Sequence, residues 1–266
     1  MHPVKHPRRI SAIEHQARST YGCATWNVHR ARGGDTRVDP QRIERVIANE
    51  IAATRPDILA LQEADGEQPP YDGLIDPHRI EAATGLDWLH RPTDARWGAQ
   101  SHGFLGTVLY LHPAFEVRTR ALIDLPGHYP RGAVVAEVRR NGHDLRIIAT
   151  HLSLLQGLRA VQMRTLGQYI ARRPKMRTLL LGDLNEWRPW GGLALSRRFF
   201  GSTLRGGAVA SFPVRRPVLP LDRILTDDAT GPTGLAALDS PAIRAASDHR
   251  PLVARICAVP SGHSRV

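Results

Sequence analysis

Cysteine is almost missing: Cys23 and Cys257 are the only two in 266 residues. Two thiols cannot build a disulfide framework, and neither sits at zinc-ligand spacing, so both read as strand thiols. Lysine is as scarce. Of 36 Lys+Arg only Lys5 and Lys175 are lysine, which leaves 34 arginines. Aromatic residues make up 6% of the chain and do not alternate with basic ones, so no stacking platform for single strands is visible. No run approaches the ~18 apolar residues of a membrane span, and the opening MHPVKHPRRISAIEHQARSTYG has no apolar core. Neither a span nor a secretory signal is expected, and the cytoplasm is the default compartment.

What is present suits a folded protein. With 42% hydrophobic and 23% charged residues the chain can bury a sizeable core, which excludes wholesale disorder and a collagen-like repeat. The net charge of +11 is unevenly spread: from Ala171 to Arg216, ten basic residues stand against Asp183 and Glu186, giving +8 in 46 residues. Such a field favours an anionic partner, whether a phosphate ester, a nucleic acid or an acidic membrane surface.

Residues 1–20 are basic and aperiodic and read as a flexible arm, with 259–266 as a tail. The fold is expected over 21–258, as one domain, since no composition break marks a linker. CATWNVH is a short strand; Asp39-Pro40 then caps a helix with Ile43, Val46, Ile47 and Ile51 on one face. DILALQE is a second apolar strand. Residues 64–102, rich in Gly, Pro and Asp, read as a surface excursion with a short helix near 77–84. Strand candidates follow at GTVLYLHP, FEVRTRALI, GAVVAEVRR and DLRIIATHL, the last two joined by the hairpin signal Asn141-Gly142. A helix is expected over 157–172, then the strands TLLLGDLN, PLDRIL and PLVARI.

The polar residues of interest share one position. Asn27, Glu63, His151, Asp183, Asn185, Asp222, Asp248 and His249 all lie at or beside strand ends, where a sheet edge can gather distant residues into one cleft. Carboxylates converging there repel one another unless a cation is present. Oxygen donors without cysteine suit Mg²⁺ or Mn²⁺ rather than zinc. Two histidines and an arginine beside them supply what metal-assisted phosphoester hydrolysis requires.

TWN at 25–27, LQE at 61–63, THL at 150–152, GDLN at 182–185, LDRI at 221–224 and SDH at 247–249 resemble, in order, the motifs of the endonuclease/exonuclease/phosphatase superfamily. The resemblance covers about Tyr21 to Ile256, and TWNVHRARGGD, LGDLNEWRP and FPVRRPVLPLDRI look like its compact bacterial members. It implies an α/β fold: a four-layered sandwich of two packed, mainly antiparallel sheets flanked by helices. It implies Glu63 as main metal ligand with Asn27 and Asp248 nearby. An Asp222–His249 pair would act on the attacking water or hold the phosphate, and Asp183 is the rival base. Asn185 would position water or phosphate, His151 would contact a non-bridging oxygen or protonate the leaving group, and Arg131 would contact phosphate.

Two departures stand out. Relatives often carry Gly-Asn where this chain has Gly106-Thr107, so a supporting amide is missing. The Tyr-x-Pro-Asn pattern of apurinic-site endonucleases is replaced by His151-Leu152, closer to deoxyribonuclease, sphingomyelinase and phosphatase branches. The expected activity is a Mg²⁺- or Mn²⁺-dependent phosphodiesterase or phosphomonoesterase, acting as a monomer on a phosphate ester. Its alternatives are a DNA or RNA nuclease, an enzyme on a phospholipid headgroup, and a silent nucleic-acid- or protein-binding scaffold.

Overall fold

Asp39 caps the first helix as its place before Pro40 predicts. Its carboxylate accepts from the Arg42 amide, and α1 (Pro40–Val46) buries Ile43 and Val46. The expected longer helix then changes pitch: Ile47–Ile51 forms a π turn, and Ala52–Thr54 tightens to 3-10 before Arg55 turns left-handed. The apolar face nevertheless survives, because Ile47 and Ile51 stay buried. The computed structural model describes residues 20–258. The arm and the tail lie outside that range, except that Thr20 already pairs with Cys257.

Six strands form one sheet: β1 (Thr20–Asn27), β2 (Ile58–Gln62), β3 (Asp87–Trp88), β4 (Val108–Leu111), β10 (Thr233–Ala237) and β11 (Leu252–Cys257), in the order β10-β11-β1-β2-β4-β3. The other sheet has β5 (Glu116–Leu125), β6 (Arg131–Arg140), β7 (His143–His151), β8 (Arg177–Asp183) and β9 (Asp222–Thr226), in sequence order. Pairing is mainly antiparallel, with one parallel pair in each sheet, β1/β2 and β7/β8. A parallel pair needs a crossover, and helical turns supply both. After β1 this is α1 with its π turn; after β7 it is α3 (Gln156–Ala171).

Strand alternation sorts the side chains into layers. Tyr21, Cys23, Ile58 and Ala60 meet Ile147, Ala149, Leu179 and Leu181 in a core between the sheets. Outward-facing Trp26, Leu59 and Leu61 pack under α1, α2 (Pro77–Thr84) and α5 (Pro241–Ala246) through Ile43, Ile80 and Ile243. On the other side Ile148 and Leu180 pack under Met163 and Leu166 of α3 and Phe200 of α4 (Arg197–Phe200). Helix, sheet, sheet and helix make the four layers, and each fully buried Leu or Ile is worth roughly 1.5–3 kcal/mol.

Three expectations need correction. Segment 64–102 has the expected helix at Pro77–Thr84 but is not all surface: Leu86, Trp88 and His90 are buried, and Asp65 accepts hydrogen bonds from Ser101, His102 and Gly103. The strand β10 and the helix α5 went unpredicted. The basic stretch 171–216 does not form the single field its sequence suggests. Its first members surround Arg177 at the start of β8, the opposite end from Asp183. Arg173, Arg177 and Arg188 are moreover paired with Glu137, Asp228 and Glu186.

Candidate active site

The two parallel pairs end at the same edge. β1 brings Asn27 beside Gln62, so Glu63 follows directly; β7 and β8 place His151 opposite Asp183. β9 runs antiparallel to β8, so its first residue, Asp222, pairs with Asp183. β11 runs antiparallel to β1, with Thr25 opposite Leu252, and the loop before it delivers Asp248 and His249. That loop is tied down: Ser247 Oγ donates to the Asn27 carbonyl at 2.7 Å, and the Trp26 indole donates to the His249 carbonyl at 3.0 Å. All eight strand-end residues therefore meet at one edge.

Asp183 is the hub. It accepts from the Asn27 amide at 3.0 Å, and the same carboxylate oxygen lies 3.4 Å from His151 Nε2 and 3.8 Å from His249 Nε2. Its other oxygen accepts from the Asn185 backbone at 2.9 Å, which holds Asn185 in a left-handed turn at φ 51°. The Asn185 side chain donates to the Leu152 carbonyl at 2.9 Å and lies 3.2 Å from His151 Nε2. The glycine of the GDLN motif makes this approach possible. Gly182 has φ 138°, and a Cβ there would stand 1.9 Å from the Thr150 carbonyl oxygen.

His249 Nδ1 lies 2.7 Å from Asp222 Oδ2, which also accepts from Ser211 Oγ at 2.5 Å. Burial opposes charge on this imidazole, but Asp222, Asp183 and Asp248 outweigh it and raise its pKa to about 10. His151 goes the other way. Burial, with Arg131, His249 and Arg30 around it, lowers its pKa to about 3 despite Asp183. Their surroundings thus push the two imidazoles in opposite directions, although both lie against the same Asp183 oxygen.

Glu63 reaches the edge by a left-handed turn, φ 57°, which departs from the alternation of β2. Its Ala64 neighbour donates to the Gly106 carbonyl at 3.0 Å, and Arg30 N donates to the Glu63 carbonyl at 3.1 Å. Asn27 Nδ2 lies 3.5 Å from Glu63 Oε1, and Asn27 Oδ1 is taken by the His29 amide. Arg131, half-buried at the start of β6, has its pKa lowered by burial while Glu63 and Asp183 draw it back. Its Nε makes no hydrogen bond among the described residues. A cleft beside it is lined by Arg30, Glu63, Tyr71, Gly106 and Tyr129. Thr107, where relatives carry an amide, has a buried hydroxyl with no partner among the described residues, so it supplies no such support.

A hard cation fits this donor set. Among the described residues Glu63 Oε2 and Asp248 Oδ1 are buried and accept no hydrogen bond, although Oε2 already lies 2.8 Å from the Arg30 guanidinium. A carboxylate oxygen in that state is stabilised by a cation. Asp183, Asp222 and His249 also bring one donor atom each within 4.8 Å of one another. That second group suits a cation less well, because Asp222 is already engaged by His249 and Ser211.

Two residues at this site escaped the sequence reading. Ser211 is eleven positions from Asp222 in an irregular segment and gave no signal. Arg30 stands inside TWNVHRARGGD, where nothing sets it apart from Arg32; its guanidinium lies 2.8 Å from Glu63 Oε2 and 3.5 Å from Glu67.

A chain with this fold and edge is a member of a known class, and it belongs to the endonuclease/exonuclease/phosphatase family, whose pattern matches residues 24–249. Members of that family are hydrolases acting on phosphate esters and are typically dependent on a divalent metal. Among relatives, the uncharacterized protein YbhP of Escherichia coli K12 is 24% identical over 248 residues, covering 87% of this chain and 94% of YbhP. Two solved structures share the fold. The human Nocturnin catalytic domain with bound sulfate aligns at TM-score 0.63 and 20% identity, over 89% of this chain and 93% of that one. D. rerio TDP2 complexed with single strand DNA product aligns at TM-score 0.62 and 18% identity, over 89% and 98%. Among the described residues no helix is long and apolar enough to cross a membrane.

Proposed function

We propose that this chain is a divalent-metal-dependent phosphoesterase that hydrolyses a phosphodiester, or a phosphomonoester, by in-line attack of an activated water. The observation that carries the reading is the line from Asp222 through His249 to Asp183, at 2.7 and 3.8 Å, at an edge that also holds a hydrogen-bond-free carboxylate oxygen of Glu63. Glu63 would be the main ligand, with Asp248 beside it. The bound Mg²⁺ or Mn²⁺ would neutralise charge on the phosphoryl and leaving oxygens.

The remaining roles follow from charge state. His249, kept protonated by its carboxylate neighbours, holds a phosphoryl oxygen as a cation, which leaves Asp183 as the group that takes the proton of the attacking water. Asn185 orients that water or the phosphate. His151, neutral at ordinary pH, contacts a non-bridging oxygen; burial among arginines disfavours its alternative role as proton donor. Asn27 spaces Glu63 from Asp183, since its amide nitrogen faces both carboxylates. Arg131 binds phosphate through the guanidinium edge that has no partner.

Nuclease action is the second reading, favoured by the net charge of +11, because phosphate contacts supply most non-specific nucleic-acid affinity. A silent scaffold is disfavoured by the completeness of the set. The test is release of p-nitrophenol from bis(p-nitrophenyl) phosphate and from p-nitrophenyl phosphate with Mg²⁺, Mn²⁺ or EDTA, with plasmid DNA alongside. Metal-dependent release supports the reading and sorts diesterase, monoesterase and nuclease; no turnover of any of the three contradicts it.

A further inference from the structure

Exposed apolar side chains are not spread evenly over this surface. Of eleven large hydrophobic residues exposed among the described residues, six lie on three loops: Tyr129, Leu154, Leu155, Trp187, Trp190 and Leu193. The loops join β5 to β6, β7 to α3, and β8 to α4, all within the five-stranded sheet's half of the molecule. Leu154 comes three residues after His151, and Trp187 two after Asn185, so the apolar residues rim the catalytic edge. Leu154, Leu155 and Trp190 are 74%, 69% and 77% exposed, values unusual for such side chains without a partner.

The loops are held together from behind. Gln162 donates to the Pro126 carbonyl at 2.9 Å and accepts from the Ser153 amide at 2.8 Å, which ties the first loop to the second. Arg159 donates to the carbonyls of Ser153 and Leu154 and lies 3.4 Å from Glu186, and Arg188 bridges Glu186 to Gln156. Those contacts tie the second loop to the third. The apolar tips therefore project from a fixed base.

Exposed charge on the second and third loops and on α3 and α4 behind them has one sign, whereas the first loop lies near the exposed carboxylates Glu67 and Asp124. From Leu145 to Leu221 the only carboxylates are Asp183 and Glu186, and both are buried. Glu186 is spent on Arg159 and Arg188. Arg164 on α3 and Arg197 and Arg198 on α4 are exposed, and α4 packs against α3 at Gly167. Asp124, just before the first loop, is the exposed carboxylate nearest in sequence. Tryptophan and leucine tips on a fixed base, with arginines on the flanking helices α3 and α4 that make no ion pair among the described residues, match the interface of an anionic bilayer: rings and aliphatic groups enter the headgroup region while arginines meet lipid phosphates. Single-stranded nucleic acid would use stacked rings but gains little from three exposed leucines.

We infer that these three loops dock the protein on an anionic phospholipid surface, presenting headgroup phosphates to the catalytic edge. The docking stands on the surface alone; the presentation rests on the phosphoesterase reading above. The test is co-sedimentation of the full chain with vesicles of phosphatidylcholine containing 30% phosphatidylglycerol, and with phosphatidylcholine alone, for the wild type and for Leu154→Ser/Trp190→Ala. The expected result is partition onto the anionic vesicles, a blue shift of tryptophan emission on binding, and at least a fivefold loss of partition in the double variant. The variant should keep wild-type hydrolysis of soluble bis(p-nitrophenyl) phosphate, which also reports that it is folded. Absence of wild-type binding overturns the inference, as does full binding by the variant. A variant that loses affinity for a single-stranded oligonucleotide but not for vesicles overturns it in favour of nucleic acid. Vesicle binding without hydrolysis of the soluble ester would leave the docking intact and remove the enzymatic reading.

Discussion

Arg30 Nη1 lies 2.8 Å from Oε2 of Glu63, so a guanidinium rests against the carboxylate assigned to the metal. The contact falls outside hydrogen-bond angles, and Oε2 accepts no hydrogen bond among the described residues. Arg30 is held there by three successive left-handed residues, His29, Arg30 and Ala31, at φ 47°, 49° and 57°. Non-glycine residues in that region cost of order 1 kcal/mol or more each. The turn places a fixed positive charge where a cation must enter.

Removing that charge is expected to tighten metal binding. Arg30→Gln should lower the Mn²⁺ dissociation constant several-fold, where tenfold equals about 1.4 kcal/mol. Titration calorimetry of the metal-free protein measures this. Weaker Mn²⁺ binding by the variant would show that Arg30 supports the site rather than competes at it.

Gly182→Ala is expected to be among the most damaging small substitutions. The added Cβ would meet the Thr150 carbonyl at 1.9 Å and would sit at φ 138°, forcing β7 and β8 apart between His151 and Asp183. Strain and overpacking together should cost about 3 kcal/mol in urea unfolding. A loss below about 0.5 kcal/mol would mean that the two strands separate easily.

Acid stability has a source far from the site. Glu137 on β6 pairs across the sheet with Arg146 and accepts from Arg173. Burial alone would raise its pKa, yet Arg173, Arg146 and Thr119 lower it to about 2. A depressed carboxylate stabilises the fold fully above its unfolded pKa of about 4.5, and the contribution fades as pH falls toward 2. Urea unfolding between pH 6 and 2.5 should show that slope, and Glu137→Gln should flatten it. The same variant leaves Arg146 buried without its carboxylate and should cost about 3 kcal/mol at pH 7.

Asp222→Asn should leave the fold intact and reduce kcat at least about 100-fold, the usual scale for a lost proton-handling partner. The imidazole resonance of His249 in metal-free protein should also titrate lower, because the carboxylate that raises its pKa is gone. Unchanged titration would separate His249 from Asp222.

How much of this was legible depends on where each signal resides. Strand ends were readable, because an apolar run that stops at Asn27, His151 or Asp183 marks both the strand and the polar group at its edge. Convergence of Asp222 and His249 was readable only through the order of motifs, since 27 residues separate them. Arg30 was hidden because its placement comes from left-handed backbone, which no periodicity announces. The strand β10, TGLAA with Gly and Pro before it, carries no alternation of apolar and polar residues. Helix α5 did carry a signal: Ser240-Pro241 is an N-cap pair, and Ser240 Oγ does accept from the Ile243 amide. The split of the basic stretch could not be read, because charge along a sequence says nothing about which end of a strand it occupies.

The central claim is that Glu63 and His249 belong to one metal-dependent hydrolytic site. It is tested most directly by the initial rate of bis(p-nitrophenyl) phosphate hydrolysis in Mn²⁺ for the wild type, Glu63→Ala and His249→Ala, each shown by circular dichroism to be folded. Turnover by the wild type that EDTA abolishes is expected, with loss of at least about 100-fold in each variant. Wild-type rates in either folded variant would contradict it.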